Sequence, residues 1–164
     1  MELTEGLIPG AGLDSAVFAQ DELVRIAAPG HPILAQKGVR AKDFAGLPFV
    51  LREPGSGTRA VIERALGELG LRAAEVISLG STEAIKRVVA SGLGVAIVSR
   101  LAVMTEEQTG TLAVVPLVDL KVPRPLHRVR SQGLTDGPTH KAFDQVLAGT
   151  LPAEFRCSKT PRAQ

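Results

Sequence analysis

Residues 75–99 read EVISLGSTEAIKRVVASGLGVAIVS. This stretch predicts a strand, a helix and a second strand. Glu75-Val76-Ile77-Ser78-Leu79 is a short run with β-branched residues. Gly80 turns the chain, and Ser81 or Thr82 caps a helix that begins at Thr82. Ala84, Ile85, Val88 and Val89 fall on one side of a 3.6-residue period, and Gly92 stops the helix near Ala90. Val95-Ala96-Ile97-Val98 is then apolar at four successive positions. A strand with one face in water alternates, whereas a strand covered by helices on both faces does not. The stretch therefore predicts parallel strands joined by a crossover helix.

The same alternation extends in both directions. Upstream, Phe49-Val50-Leu51 reads as a strand, and Arg59 to Leu69 as a helix with Val61, Ile62, Ala65, Leu66 and Leu69 on one side and Gly70 as its C-cap. Val24 to Ala28 is a short apolar strand stopped by Pro29-Gly30-His31-Pro32, because proline removes a donor and glycine permits φ > 0. Downstream lie a helical turn at Leu101 to Glu107, a strand at Leu112 to Val115, a weakly patterned strand at Leu126 to Arg130 and a helix at Pro138 to Leu147. From Pro152 the chain is polar and basic, and residues 151–164 read as a disordered tail. The fold class is α/β with a mainly parallel sheet.

Composition narrows the function. The chain has 164 residues, 45 % hydrophobic and 22 % charged, which suits a soluble globular domain. Nineteen Lys and Arg against 17 Asp and Glu leave a formal charge of +2, too small to argue for nucleic acid. There is no Trp or Tyr to stack on bases. A single cysteine excludes an internal disulfide and a cysteine zinc cluster. No run approaches the ~18 apolar residues of a membrane span. The first residues, Met1-Glu2-Leu3-Thr4-Glu5, do not resemble a signal peptide, so a cytoplasmic setting is expected.

In parallel sheets, ligands bind at the carboxyl ends of strands, beside helix N-termini. Two loops occupy that position. The first is Arg52-Glu53-Pro54-Gly55-Ser56-Gly57-Thr58-Arg59, in which glycine N–H groups, two hydroxyls and a helix N-terminus can hold a small anion and Arg59 adds charge. The alternative is a capped helix start, with Ser56 or Thr58 as N-cap and Arg52 paired with Glu53. The second loop is Leu79-Gly80-Ser81-Thr82-Glu83, again a ligand-facing helix start or a plain cap. Neither loop matches a P-loop or a nucleophile elbow.

The remaining chemistry is sparse. His31, His127 and His140 have no metal-ligand spacing, so neither metal nor cofactor is expected. Cys157 sits in the basic tail, and no acid/base pair or nucleophile can be nominated, so an enzyme is not expected. Lys121, Arg124, His127, Arg128 and Arg130 form a loose basic cluster that reads as a solvated edge.

Five segments carry a resemblance. They are Asp21-Glu22-Leu23-Val24, then Ala28-Pro29-Gly30-His31-Pro32, then the loop from Leu51 to Arg59, then Leu79 to Lys86, then Ser91-Gly92-Leu93-Gly94-Val95-Ala96-Ile97-Val98-Ser99. In this order and spacing, from about residue 3 to residue 150, the chain resembles the effector-binding domain of LysR-type transcriptional regulators. The loop around Ser56 is most similar to the branch that regulates carbon fixation and sulfur metabolism.

The resemblance implies a fold similar to type 2 periplasmic binding proteins, two α/β subdomains with a cleft between them. Residues 23–116 would be a complete second subdomain, and residues 1–22 and 117–150 part of the first. The chain would cross between them near residues 18–23 and 116–121. The surviving cleft wall would be Gly80, Ser81 and Thr82 with Glu53, Ser56, Gly57 and Thr58, binding a small anionic metabolite. The resemblance also implies dimerisation, with the helices at 59–69 and 138–147 as candidate surfaces. The family's helix-turn-helix has no counterpart in residues 1–164, so DNA would be read only through a domain absent from this chain. Alternatives are an interaction module that oligomerises without ligand and a stand-alone solute-binding protein.

Overall fold

A computed structural model of the protein describes residues 2–5, 12–73, 75–133, 137–150 and Phe155. The chain divides into two compact units, residues 1–21 with 123–164, and residues 22–122.

The larger unit is built on a mixed sheet. Strand β2 (Leu13–Ala27) enters it, followed by β3 (Pro48–Arg52), β4 (Glu75–Leu79), β5 (Val95–Ser99) and β6 (Ala113–Val115). β3 is parallel to β4, with Leu51 opposite Ser78, and parallel to β5, with Val50 opposite Ala96. β2 is antiparallel to β5, with Leu23 opposite Ser99, and antiparallel to β6, with Arg25 opposite Val115. The strand–helix alternation accounts for the parallel pairs. β2 runs the other way. The short strand expected at Val24 to Ala28 is the last third of a 15-residue strand. The Pro-Gly punctuation marks where β2 ends and says nothing about where it begins.

Both sheet faces are covered. Leu23, Phe49, Leu51, Val95 and Ile97 pack with Phe44 of α1 (Ala41–Ala45) and with Ile62 and Leu66 of α2 (Gly57–Glu68). Val24, Ile26, Val50, Ala96 and Val98 pack on the other face with Ile85 and Val89 of α3 (Thr82–Ala90), Val103 and Leu112. Phe44 and Phe49 meet edge to face at 5.5 Å. This two-sided burial is the reason Val95 to Val98 reads as an unbroken apolar run. The expected turn near Leu101 is a 3-10 segment followed by α4 (Met104–Thr109).

The Ser-Gly-Leu-Gly step between α3 and β5 has two separate causes. Gly92, at φ +81°, lies just beyond the helix C-cap Ser91 and takes a left-handed conformation. Gly94 is required for a different reason: a Cβ there would lie 2.6 Å from the Pro48 carbonyl oxygen. The backbone of β5 approaches β3 too closely for any side chain.

In the smaller unit, β1 (Glu2–Thr4) is antiparallel to β7 (Pro123–Ser131), with Leu3 opposite Arg128 and Thr4 opposite His127. β7 also neighbours β2, and α5 spans Pro138–Thr150. The strand that carries His127 and Arg128 has a neighbour on each side. The basic cluster is also not a free positive edge. Arg128 bonds Asp144 of α5, Arg130 lies 3.6 Å from Asp14, and buried Arg124 bonds Asp21 at 2.6 Å and Glu5 at 3.0 Å. Apart from buried Phe155, the expected tail at 151–164 lies outside the described residues, Cys157 included.

Two substitutions separate the roles of the glycines. Gly92→Ala should cost about 1 kcal/mol for a left-handed site. Gly94→Ala should cost more, roughly 2–4 kcal/mol, because strand pairing must shift to relieve the contact. Urea unfolding of the two variants checks the order.

Candidate ligand-binding site

Because β3 and β4 are adjacent and parallel, the loops that follow them leave from the same sheet edge. The structure joins them there. The Glu53 N–H donates to the Leu79 carbonyl at 3.2 Å. Arg59 Nη1 donates to the Arg52 carbonyl at 3.1 Å and to Ser78 Oγ at 3.0 Å, while its Nε donates to Glu63 at 2.7 Å. Arg59 is therefore a brace between the loops, with its charge already matched by Glu63.

The nominated residues divide by role. Ser81 is the N-cap of α3, its Oγ accepting from the Ala84 N–H at 3.1 Å, and Thr82 begins that helix. Ser56 is the N-cap residue of α2 but makes no side-chain capping bond. Thr58 lies in the first turn of α2. Glu53 binds Arg52 through two 2.8 Å bonds. The Arg52 hydrogen bond holds the Glu53 carboxyl down at about 2, so it is fully ionised at neutral pH.

Gly57 and Gly80 differ from the positive-φ glycines such as Gly55 and Gly92. Neither has positive φ, and a Cβ on either would meet nothing within 4 Å. Turn geometry and packing leave both positions free for other residues. A side chain at either position would enter open space at a helix start. A shallow pocket of about 240 Å³ lies at the α2 start, lined by Pro54, Gly55, Ser56, Gly57, Arg59 and Glu63. A larger one of about 490 Å³ lies near the other end of α2, against Leu51, Leu66, Leu71 and Val76. It is lined by none of the nominated residues, and Glu63 and Arg72 line it beside its apolar side chains. Of the nominated residues the smaller pocket is lined by Ser56 and Gly57, and by none of Gly80, Ser81 or Thr82. Among the described residues no three His, Cys, Asp or Glu side chains group as a metal site.

Sequence reading missed the contact that fixes α3. Buried Lys86 Nζ reaches Glu83 at 2.7 Å, Glu106 at 2.7 Å and the Ala102 carbonyl at 2.9 Å. Burial pulls the Lys86 pKa down, but the hydrogen bonds to Glu106 and Glu83 outweigh it and raise it overall. The Lys86 hydrogen bond lowers the Glu106 pKa. The acidic partner from α4 lies 20 positions away, beyond any local pattern.

Lys86→Met should cost roughly 2 kcal/mol, less than a fully buried pair because Glu106 is a quarter exposed. Glu53 and Glu106 both have folded pKa values below the ordinary 4.5. Their contribution is present above that pH and is lost as pH falls below it, towards about 2 for Glu53. Thermal melts across this range should show the loss, and Glu106→Gln should flatten it.

The family model for the LysR substrate binding domain matches residues 3–152. The chain is 34 % identical over 130 residues to the RuBisCO operon transcriptional regulator of Acidithiobacillus ferrooxidans, covering 79 % of this chain and 42 % of that protein. It is 38 % identical over 137 residues to the phosphonates import ATP-binding protein PhnC of Anaeromyxobacter dehalogenans, covering 82 % of this chain and 27 % of that one. The chain thus spans less than half the length of these curated relatives. Its fold is similar to the Synechocystis PCC6803 CcmR regulatory domain, solved in complex with 2-PG, at a TM-score of 0.80 and 23 % identity over 90 % of this chain and 71 % of that chain. With the family matched over nearly its whole length and the α/β units in place, this chain belongs to the LysR substrate-binding domain family, whose members bind ligands rather than catalyse reactions.

Proposed function

We propose that this chain is the ligand-sensing part of a LysR-type regulator and that it binds a small anionic metabolite at the carboxyl edge of β3 and β4. The observation that carries this reading is the pair of glycines, Gly57 and Gly80, left unobstructed at two neighbouring helix starts. Backbone N–H groups at such starts favour negative charge. Gly80, Ser81 and Thr82 present one helix start, and Ser56, Gly57 and Thr58 the other. Glu53 acts indirectly by neutralising Arg52 beside the loop. The 2-PG bound by the CcmR domain and the phosphonates in the name of PhnC support an anionic ligand.

Residues 23–116 then form the second subdomain, with 1–22 and 117–150 contributing to the first. In a complete cytoplasmic regulator, ligand binding favours one arrangement of subdomains over another, and a helix-turn-helix domain reads DNA. A homodimer is part of the same reading. Exposed Leu69, Val76 and Ile77 near α2, and Phe143 and Val146 on α5, support it.

Gly57→Ala and Gly80→Ala should leave the melting temperature unchanged or slightly raised, because neither methyl meets a neighbour. Each should weaken binding of 2-PG or inorganic phosphate about tenfold or more, the cost of displacing a charge-assisted hydrogen bond. Calorimetric titration checks this. Unchanged affinity in both variants contradicts the site.

A further inference from the structure

The chain matches most of its positive charge internally. Arg52, Arg59, Lys86, Arg100, Arg124 and Arg128 each form an ion pair with a carboxylate. Lys37, Arg40, Lys42 and Lys121 do not: all four are exposed, and none forms an ion pair among the described residues. The fold brings these four together. The Val118 N–H donates to the Val39 carbonyl at 3.0 Å, and Asp119 Oδ1 accepts from the Ala41 N–H at 2.8 Å. Residues 117–121 therefore lie against residues 39–41, and both segments belong to the larger unit.

Burial fixes which way the two segments face. Val39, Ala41, Leu117, Leu120 and Val122 enter one apolar cluster. Arg40, Lys42, Val118 and Lys121 are their immediate neighbours in sequence and stay exposed. The outward side thus carries the cations, with Val118 among them, 64 % exposed. The acids of residues 37–43 and 117–121 are Asp43 and Asp119, and the backbone engages both. Asp119 holds the Ala41 N–H, and Asp43 Oδ2 accepts from the Arg40 N–H at 3.0 Å. Neither carboxylate closes on a neighbouring cation. Like charges gathered in this way repel one another and raise the local potential, and an acidic partner relieves both.

We infer that this face docks an acidic segment of another protein, its carboxylates meeting the four cations and an apolar side chain covering Val118. The apolar centre favours a protein over a nucleic acid. Protein interfaces set apolar residues inside a charged rim. A nucleic-acid backbone offers phosphate at every step, gains nothing from Val118 and meets Asp43 and Asp119 as well as the cations. Exposed charges at such a rim act mainly on encounter rate and salt dependence. The inference goes beyond ligand sensing, because none of these residues lies at the starts of α2 or α3.

The test titrates the 164-residue chain with a synthetic peptide that repeats Glu-Glu-Leu four times, with its Gln-Gln-Leu counterpart, and with a short DNA duplex. The parent should bind the acidic peptide, about tenfold more weakly once salt is raised from about 50 to about 500 mM, and should not bind the Gln peptide. The double variant Lys42→Glu/Lys121→Glu should lose about tenfold or more in affinity, Lys42→Gln/Lys121→Gln should lose less, and Val118→Ser should lose about threefold. All three should melt with the parent, because these side chains are exposed. The control is Arg72→Glu/Arg87→Glu, which removes the same net charge from two exposed cations on other elements and should bind as the parent does. Equal loss in both Glu doubles would overturn the inference, since net charge alone would then explain binding. So would equal binding of the Gln peptide, no binding of the acidic peptide, or failure of both Lys42/Lys121 doubles to fold. Tighter binding of the duplex than of the acidic peptide, lost in the same variants, would assign the face to nucleic acid and overturn it too.

Discussion

β3 and β5 are apolar on both faces and have to be covered on both at once. The rest of the larger unit follows from meeting that demand with short connections. α2 covers one face and α3 the other, and each begins where a parallel strand ends. Two helix N-termini are thereby brought to one edge of the sheet. The demand also fixes the entry to β5, where Gly94 lets the backbone pass against the Pro48 carbonyl. The edge that results is a consequence of core burial before it is a binding site.

The chain treats charge at that edge in a consistent way. Arg52 is held by Glu53, and Arg59 by Glu63 while it braces the two loops. Lys86 is enclosed by Glu83 and Glu106. These pairs fix geometry around helix starts whose backbone N–H groups are the donors of the proposed site. Such donors recognise negative charge without carrying a full charge of their own, so they add little desolvation cost when no ligand is bound.

Much of this architecture is legible locally. The Ser81 cap, the α3 period and the apolar run at Val95 to Val98 all depend on residues a few positions apart, and the structure places them as read. What was not legible depends on distant partners or short elements. α1 has only five residues, too few to show a period. The requirement for Gly94 becomes visible only with Pro48 beside it. Lys86 looks like an ordinary helix cation until Glu106 arrives from α4, and Arg128 looks solvated until Asp144 arrives from α5. The Ser56 hydroxyl, readable as a cap, makes no capping bond. The resemblance to LysR effector domains carried the family assignment further than periodicity could, because it used the order of five weak segments together.

The central claim is that ligand meets this chain at the paired helix starts rather than in the larger pocket beside Leu66 and Leu71. The most direct test is an amide-resolved NMR titration of the chain with 2-PG and, separately, inorganic phosphate. The account predicts that the largest shifts fall on the N–H groups of Gly57, Thr58, Gly80, Ser81 and Thr82. Largest shifts around Leu66, Leu71 and Val76, or none at saturating anion, would contradict it.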